Sequence, residues 1–307
     1  MSLVGLLQAA AVLTVVFSLV TAINLPHHGV ELFSHFRLQY FVVSILLVLV
    51  FAALKDPKFS LALLMIAIFN GVFIVNWYLP VKSESGGGQS LKLMHANVLA
   101  RNDQYQKLLD LVTEEDPDMV FLQEINNDWL AGITSLISEY PYYYTEPRAG
   151  NFGIAVYSKL PFDSVLHVDS PPLGYPTITA TMSIGDKDIT LISSHPTIPL
   201  GKKSHSERNE QLESLAEQIQ SADTQVVLLG DFNTSVWDLR YRNLERSTGL
   251  LNARRGFGVL PTWPTFMPLA MIPIDHVLVS KSIGVIDMRT GNGIGSDHLP
   301  LIVTLSL

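Results

Sequence analysis

Apolar residues dominate the chain up to Pro80 and then give way to short alternating runs. Val4 to Ala22, roughly Leu38 to Leu54, and Leu61 to Leu79 are long enough, or nearly so, to cross a bilayer core of about 30 Å. They predict three transmembrane helices. A cleaved leader is the competing reading of the first stretch. No basic segment precedes it, however, and Asn24-Leu-Pro-His-His is a poor small-residue cleavage site. Ser83 to Ser90, SESGGGQS, reads as a flexible linker, so that residues 81–90 tether the remainder of the chain close to the membrane. From Leu91 the periodicity changes. LKLMHANV predicts a strand, Tyr105 to Thr113 a helix, Asp118 to Glu124 a strand, and Asn127 to about Glu139 a helix. Further strands are expected at Gly153 to Ser158, Thr177 to Ile184 and Asp188 to Ser194. Glu207 to Ile219 has the spacing of an amphipathic helix, with Leu212, Leu215 and Ile219 on one face. Val226 to Leu229, Ile274 to Val279, Gly284 to Met288 and Leu299 to Leu305 complete the strands. Mixed hairpins and crossovers argue for an α/β sandwich with mixed sheets over residues 91–307.

Charge sharpens the division. Glu31, Arg37, Lys55, Asp56 and Lys58 are the charged residues before Pro80, whereas the whole chain carries 20 basic and 28 acidic residues. The later part is therefore the acidic one. An acidic surface disfavours tight non-specific binding of nucleic acid, which depends on neutralising phosphates with Lys and Arg. Lys55 and Lys58 place the loop between the second and third spans in the cytoplasm by the positive-inside rule, which puts the later domain on the periplasmic or extracellular side. Arg37 in the first loop votes the other way. In that loop His27, His28, Glu31 and His35 read as an exposed interfacial segment, with a metal or headgroup site as the alternative. The chain has no cysteine, which excludes disulfides, thiol nucleophiles and cysteine metal sites.

The chemistry gathers at strand ends. Leu228 to Thr234, LLGDFNT, is a buried strand running into a turn that delivers Asp231 and Asn233 on one side. A carboxylate can orient or deprotonate water, and a neutral carboxamide can donate to a phosphate oxygen without repelling it. Asn97, Glu124, His195, Asp275 and the pair Asp297-His298 stand at further expected strand ends, where a plain core strand needs no polar group. Each alone has a bland reading as a cap, a surface acid or a turn residue. As an ordered set they fit a divalent-metal phosphoesterase.

HANV, FLQEI, SSHP, GDFN, IDHVLVS and GSDHLPLIV resemble, in order, the motifs of the endonuclease/exonuclease/phosphatase superfamily, across Leu91 to Leu307. The resemblance implies a four-layer α/β sandwich with two mixed β-sheets, preceded here by the α-helical transmembrane region. It implies a Mg²⁺ or Mn²⁺ site at Glu124 with Asn97 and Asp297, His298 poised at the scissile phosphate, and Asp275 fixing that histidine's tautomer. Asp231 would orient the attacking water, Asn233 would hold a phosphate oxygen, and His195 would be the second histidine of the deoxyribonuclease and sphingomyelinase branches. Members of the former pair that histidine with a glutamate on the strand reading NFGIAVYS here, which offers no acid.

The expected partners are the lipid bilayer and a phosphoester substrate, with no protein partner predicted. A phospholipid or lipid-linked phosphate suits a tethered acidic domain. Extracytoplasmic DNA or RNA is the alternative, and a non-catalytic membrane scaffold is the reading of another class. Arg254-Arg255 and Lys202-Lys203 read as solvated loop charges. Trp263 with Phe266, Met267, Leu269 and Met271 reads as a packed loop, or as one that dips into a bilayer.

Overall fold

The structure, a computed structural model, describes residues 2–23, 27–80 and 88–307. Most of the expected linker, 81–87, lies outside the described residues. Four helices open the chain: α1 (Leu3–Val20), α2 (His28–Ser34), α3 (Arg37–Ala53) and α4 (Pro57–Val75). By length and composition α1 and α4 can each cross a membrane, and α2 with α3, bent by 58°, makes a third crossing when the pair is taken as one span. Asp56 caps α4 by accepting from the N–H groups of Lys58 and Phe59, and Pro57 suits the first helical position, so α3 turns sharply back into α4. Inside this bundle Asn70 donates to Ser18 Oγ at 3.0 Å, tying α4 to α1.

The remaining chain forms β1 (Ser90–Asn97), α5 (Tyr105–Glu115), β2 (Met119–Gln123), α6 (Asn127–Gly132), β3 (Tyr142–Glu146), β4 (Ile154–Ser158), β5 (Ser164–Ser170), β6 (Tyr175–Ile184), β7 (Lys187–Ser194), α7 (Lys202–Gln220), β8 (Gln225–Asp231), α8 (Leu239–Thr248), β9 (Leu251–Asn252), β10 (Asp275–Val279), β11 (Gly284–Thr290) and β12 (Leu301–Ser306). One sheet has the order β11-β12-β1-β2-β4-β3 and the other β5-β6-β7-β8-β10-β9. In each sheet one central pair, β1 with β2 and β7 with β8, is parallel and joined through a helix, while the neighbouring pairs are antiparallel. The expected mixed sheets and four layers are present. The expected helix at 127–139 is shorter: α6 ends at Gly132 and a 3-10 turn covers Thr134–Ser138.

Strand periodicity fixes what each face buries. Leu91 and Leu93 of β1, Met119 and Phe121 of β2, Val227 and Leu229 of β8, and Val277 and Val279 of β10 fill the space between the sheets. Met94, Ala96, Val120 and Leu122 face outward beneath α5 and α6, and Val226, Leu228 and Leu278 face outward beneath α7 and α8. That second outer cluster continues into Ile74 and Trp77 at the end of α4, with Leu38 and Phe41 of α3 packed against it. The backbone carbonyl of Trp77 accepts from Gly256 and Gly258, and Gln39 of α3 donates to Met271 O at 2.8 Å. The apolar helices thus pack directly onto the sandwich.

Candidate active site

Continuing the inward parity of four strands past their apolar residues generates the site. After Leu91 and Leu93 the inward positions of β1 are His95 and Asn97; after Met119 and Phe121 comes Gln123; after Val227 and Leu229 comes Asp231; before Val277 comes Asp275. Asp275 is the direct cross-strand partner of Asp231, which sets the two carboxylates side by side. Asp275 begins β10, and Asp297-His298 precede β12. They do not stand at strand C-termini as the sequence pattern suggested, because β10 and β12 run antiparallel to β8 and β1 and bring their N-terminal ends to the same rim.

Gly230 allows the strand ends to close up. At φ 148° a Cβ there would lie 2.0 Å from Ser194 O and 2.7 Å from Gln123 Nε2. Gln123 uses that proximity, accepting from Asp231 N–H at 2.9 Å and donating to Ser194 O at 2.9 Å, so one buried side chain spans the two sheets. Glu124, one residue beyond the inward parity, enters the cleft through a left-handed backbone at φ 64°, a conformation a non-glycine residue holds at a cost of about 1–3 kcal/mol.

A cleft of about 490 Å³ gathers Glu124, His195, Asp231, Asn233, Asp297 and His298. Asn97 donates to Glu124 Oε1 at 3.1 Å and to Asp231 Oδ2 at 3.3 Å, and Asp275 accepts from His298 Nδ1 at 2.8 Å. All eight residues singled out in the sequence therefore meet. His298 Nε2 lies 3.7 Å and His195 Nε2 3.5 Å from Asp231 Oδ2, so that carboxylate sits between two imidazoles. Asn233 donates one amide hydrogen to Pro196 O at 3.0 Å, which leaves its second for a ligand.

Electrostatics follow from burial and from these partners. Burial by itself depresses His298, but Asp275 and Asp231 outweigh it and push the imidazole up to about 9. Burial opposes ionisation of Asp275, yet His298 and His95 hold its carboxyl well below the usual carboxylate range. His195 rises as well, burial being overcome by Asp231 and Glu124. At neutral pH His298 is an imidazolium with Nδ1–H on Asp275.

Three contributors escaped the sequence. His95 Nε2 donates to Asp275 Oδ1 at 3.1 Å; its place two residues before Asn97 on one strand was the available signal. Trp263 donates to Asp297 Oδ2 at 3.1 Å, so this aromatic belongs to the site while Phe266 and Leu269 of the same loop are exposed. Arg254, expected as a solvated loop charge, is fully buried behind the site and donates to the backbone carbonyls of Asp275 and Leu260. No acid from β4 reaches His195 among the described residues; the Phe152 ring packs against it at 5.2 Å between centroids.

The oxygen-rich side of the cleft fits a hard divalent cation. Glu124 accepts from neutral donors, the Asn97 amide and the Ala100 N–H, and so keeps its charge for an ion. Asp231, Asp275 and His298 also place ligand atoms within 4.8 Å of one another, but the last two are committed to each other. Glu124, Asp231 and Asp297 line the same cleft, and Asn97 bonds to the first two, so these oxygens could also hold a cation.

The model of the "Endonuclease/Exonuclease/phosphatase family" matches residues 86–298. The chain belongs to this family. Its members hydrolyse phosphoesters, and this chain is an enzyme of that kind. Among solved structures, TDP2 of D. rerio complexed with a single-strand DNA product is 19% identical with TM-score 0.62, covering 71% of this chain and 100% of its own. Sphingomyelinase C from Streptomyces griseocarneus is 17% identical with TM-score 0.54, covering 70% and 99%. An endonuclease/exonuclease/phosphatase family protein from Bacteroides thetaiotaomicron is 19% identical with TM-score 0.58, covering 72% and 98%. At these identities the likeness is one of fold. No curated protein matches the chain in sequence.

Proposed function

We propose that this family member is a divalent-metal-dependent phosphoesterase acting on a phosphoester presented at or near a membrane. The observation that carries the reading is His298, held through Nδ1 by Asp275 and lining the same cleft as Glu124, Asp231 and Asp297. Glu124, Asn97 and Asp297, with Asp231 adjacent, would hold Mg²⁺ or Mn²⁺, and a bound cation neutralises charge developing on the phosphoryl oxygens. His298 donates from Nε2 toward the phosphate, and Asp275 supports its positive charge. Asp231 orients the attacking water and accepts its proton. The free amide hydrogen of Asn233 holds a phosphoryl oxygen, and His195 serves as acid or phosphate ligand. A water oxygen bonds to phosphorus in line as the bond to the leaving oxygen breaks, and that oxygen takes its proton from His195 or from solvent.

In the same reading residues 1–80 form three spans, 81–90 link, and 91–307 catalyse. Gln39 and Trp77, at the sandwich end of α3 and α4, lie opposite the Lys55–Lys58 turn, which supports a cytoplasmic turn and a periplasmic or extracellular catalytic domain. The test assays the purified full chain in Mg²⁺, with and without chelator, against plasmid and phospholipid vesicles in parallel. Chelator-sensitive release of headgroup or phosphate with intact plasmid is the expected result. Plasmid cleavage with silent vesicles would make the protein a nuclease, and neither activity would leave a scaffold.

A further inference from the structure

Of the residues expected in an exposed interfacial loop, Glu31 and His35 are instead buried. Glu31 and His35 are 6% and 5% exposed. Glu31 pairs with the fully buried Arg208 and with His205 of α7, and His35 Nδ1 lies 2.9 Å from Ser235 Oγ. Arg208 in turn donates to the backbone carbonyl of Asn233 at 2.9 Å. The α2 helix is thereby fastened to the turn that carries Asp231 and Asn233. Fastened there, it presents Leu32 and His35 to the active-site cleft.

The cleft has two kinds of lining. Beside the carboxylates and imidazoles it is lined by Leu32 on α2, Ile198 and Leu200 on the loop after β7, and Ile272 on the loop before β10. Leu32, Ile198 and Leu200 are 47%, 41% and 72% exposed, large apolar side chains left open beside a charged site. Among the described residues lining it, Arg101 is the one Lys or Arg, too little to track a polyanionic backbone. Two of these side chains are tied to the apolar helices, Leu32 because α2 leads into α3, and Ile272 because Gln39 of α3 donates to the carbonyl of neighbouring Met271. Leu32 and Ile272 thus stand at the head of the apolar helices.

We infer that α2 is a substrate-binding wall of the active site, and that the groove between Leu32, Ile198, Leu200 and Ile272 receives the hydrocarbon chain of an amphiphilic phosphoester whose phosphate lies at His298. The inference rests on the phosphoesterase reading and assigns the part of the substrate which that reading left open. Glu31 and His35 are positioning residues in this arrangement. Leu32 and Leu200 make the contact. A hydrocarbon chain leaving a bilayer reaches the phosphate site without crossing open water, whereas a short soluble ester gains nothing from the groove.

Full-length protein in one detergent, with Mg²⁺, is assayed on 4-nitrophenyl phosphodiesters carrying a methyl, butyl or octyl chain. Full burial of a methylene is worth about fourfold, and kcat/KM for the octyl ester is expected to exceed that for the methyl ester by tenfold or more. In Leu32→Asn and, separately, in Leu200→Asn, the octyl-to-methyl ratio is expected to fall at least fivefold, chiefly through KM. Both side chains are already open to solvent, so asparagine is compatible with folding there. A wild-type rate independent of chain length overturns the inference while leaving the phosphoesterase reading intact. So does a chain-length dependence that both variants retain. Absence of turnover on all three esters overturns that reading and this inference with it.

Discussion

Two buried clusters of histidine and carboxylate lie on either side of the Asp231–Ser235 turn, and they are built to opposite ends. In one, Asp275, Asp231 and Glu124 face His298, His95 and His195, with neutral Asn97 between them. In the other, Glu31 meets Arg208 and His205. Arg208 is a permanent cation with a planar fork, so Glu31 is neutralised in place and the cluster is closed. The catalytic cleft gathers four carboxylates, Asp297 being the fourth, with no Lys or Arg side chain paired to them among the described residues, and Glu124 is held by neutral donors. A cluster that balances its own charge clamps, and one left with spare negative charge binds cations and reacts.

The largest expected effect separates chemistry from stability. His298→Ala removes the imidazole and is expected to lower kcat by three orders of magnitude or more, about 4 kcal/mol of transition-state stabilisation, in a protein that still folds because His95 keeps its bond to the Asp275 carboxylate. A purified His298→Ala protein with near-normal rates would end the assignment. The clamp behaves in the opposite way. Glu31→Gln strands Arg208 without its partner at 0% exposure and is expected to cost about 3–5 kcal/mol of stability in denaturant unfolding, whereas Glu31→Leu combined with Arg208→Met recovers most of that loss. If the double replacement is as damaging as the single, Arg208 does more than balance charge.

Metal sharpens the contrast further. Mg²⁺ at a hundredfold excess over its dissociation constant is expected to stabilise the protein by about 2.7 kcal/mol, and Glu124→Gln should abolish that gain. Glu31→Gln, though less stable, should retain it. The smallest effect is a baseline from an ion pair at the rim. Hydrogen bonds from Arg289 and Lys92 hold Glu115 below its ordinary value of 4.5, so its stabilisation is present above that value and is lost as pH falls through the lower folded one. With Arg289 44% exposed, Glu115→Gln should cost about 1 kcal/mol at neutral pH, and the difference in Tm from wild type should close in acid.

Much of this was legible in the sequence because the signals were local. Alternation along β1, β8 and β10 set which residues face inward, and the polar residues that end those inward series are the catalytic candidates. Asn97, Asp231 and Asp275 can be named that way, whereas Glu124, His195, Asn233, Asp297 and His298 were legible as polar residues beside expected strand ends and within the family motifs. His95 was equally present in the alternation, but a single buried histidine on a strand carries no sign of its partner. Arg254 gave the opposite misdirection, since an Arg-Arg pair in a loop reads as solvated until the carbonyls of Asp275 and Leu260 are seen around it.

The sequence by itself determined the three long apolar helices, most of the strands and their faces, though not β3, β5 or α8, and the order of reactive residues, since helix and strand periods are set by backbone geometry over a few residues. Tertiary structure decided which of those residues touch. The antiparallel return of β10 put Asp275 opposite Asp231, and the docking of α2 placed Glu31 against Arg208, 177 positions further along the chain. A buried charge is stable where its complement waits, and nothing in the neighbourhood of Glu31 along the chain says that the complement is on α7.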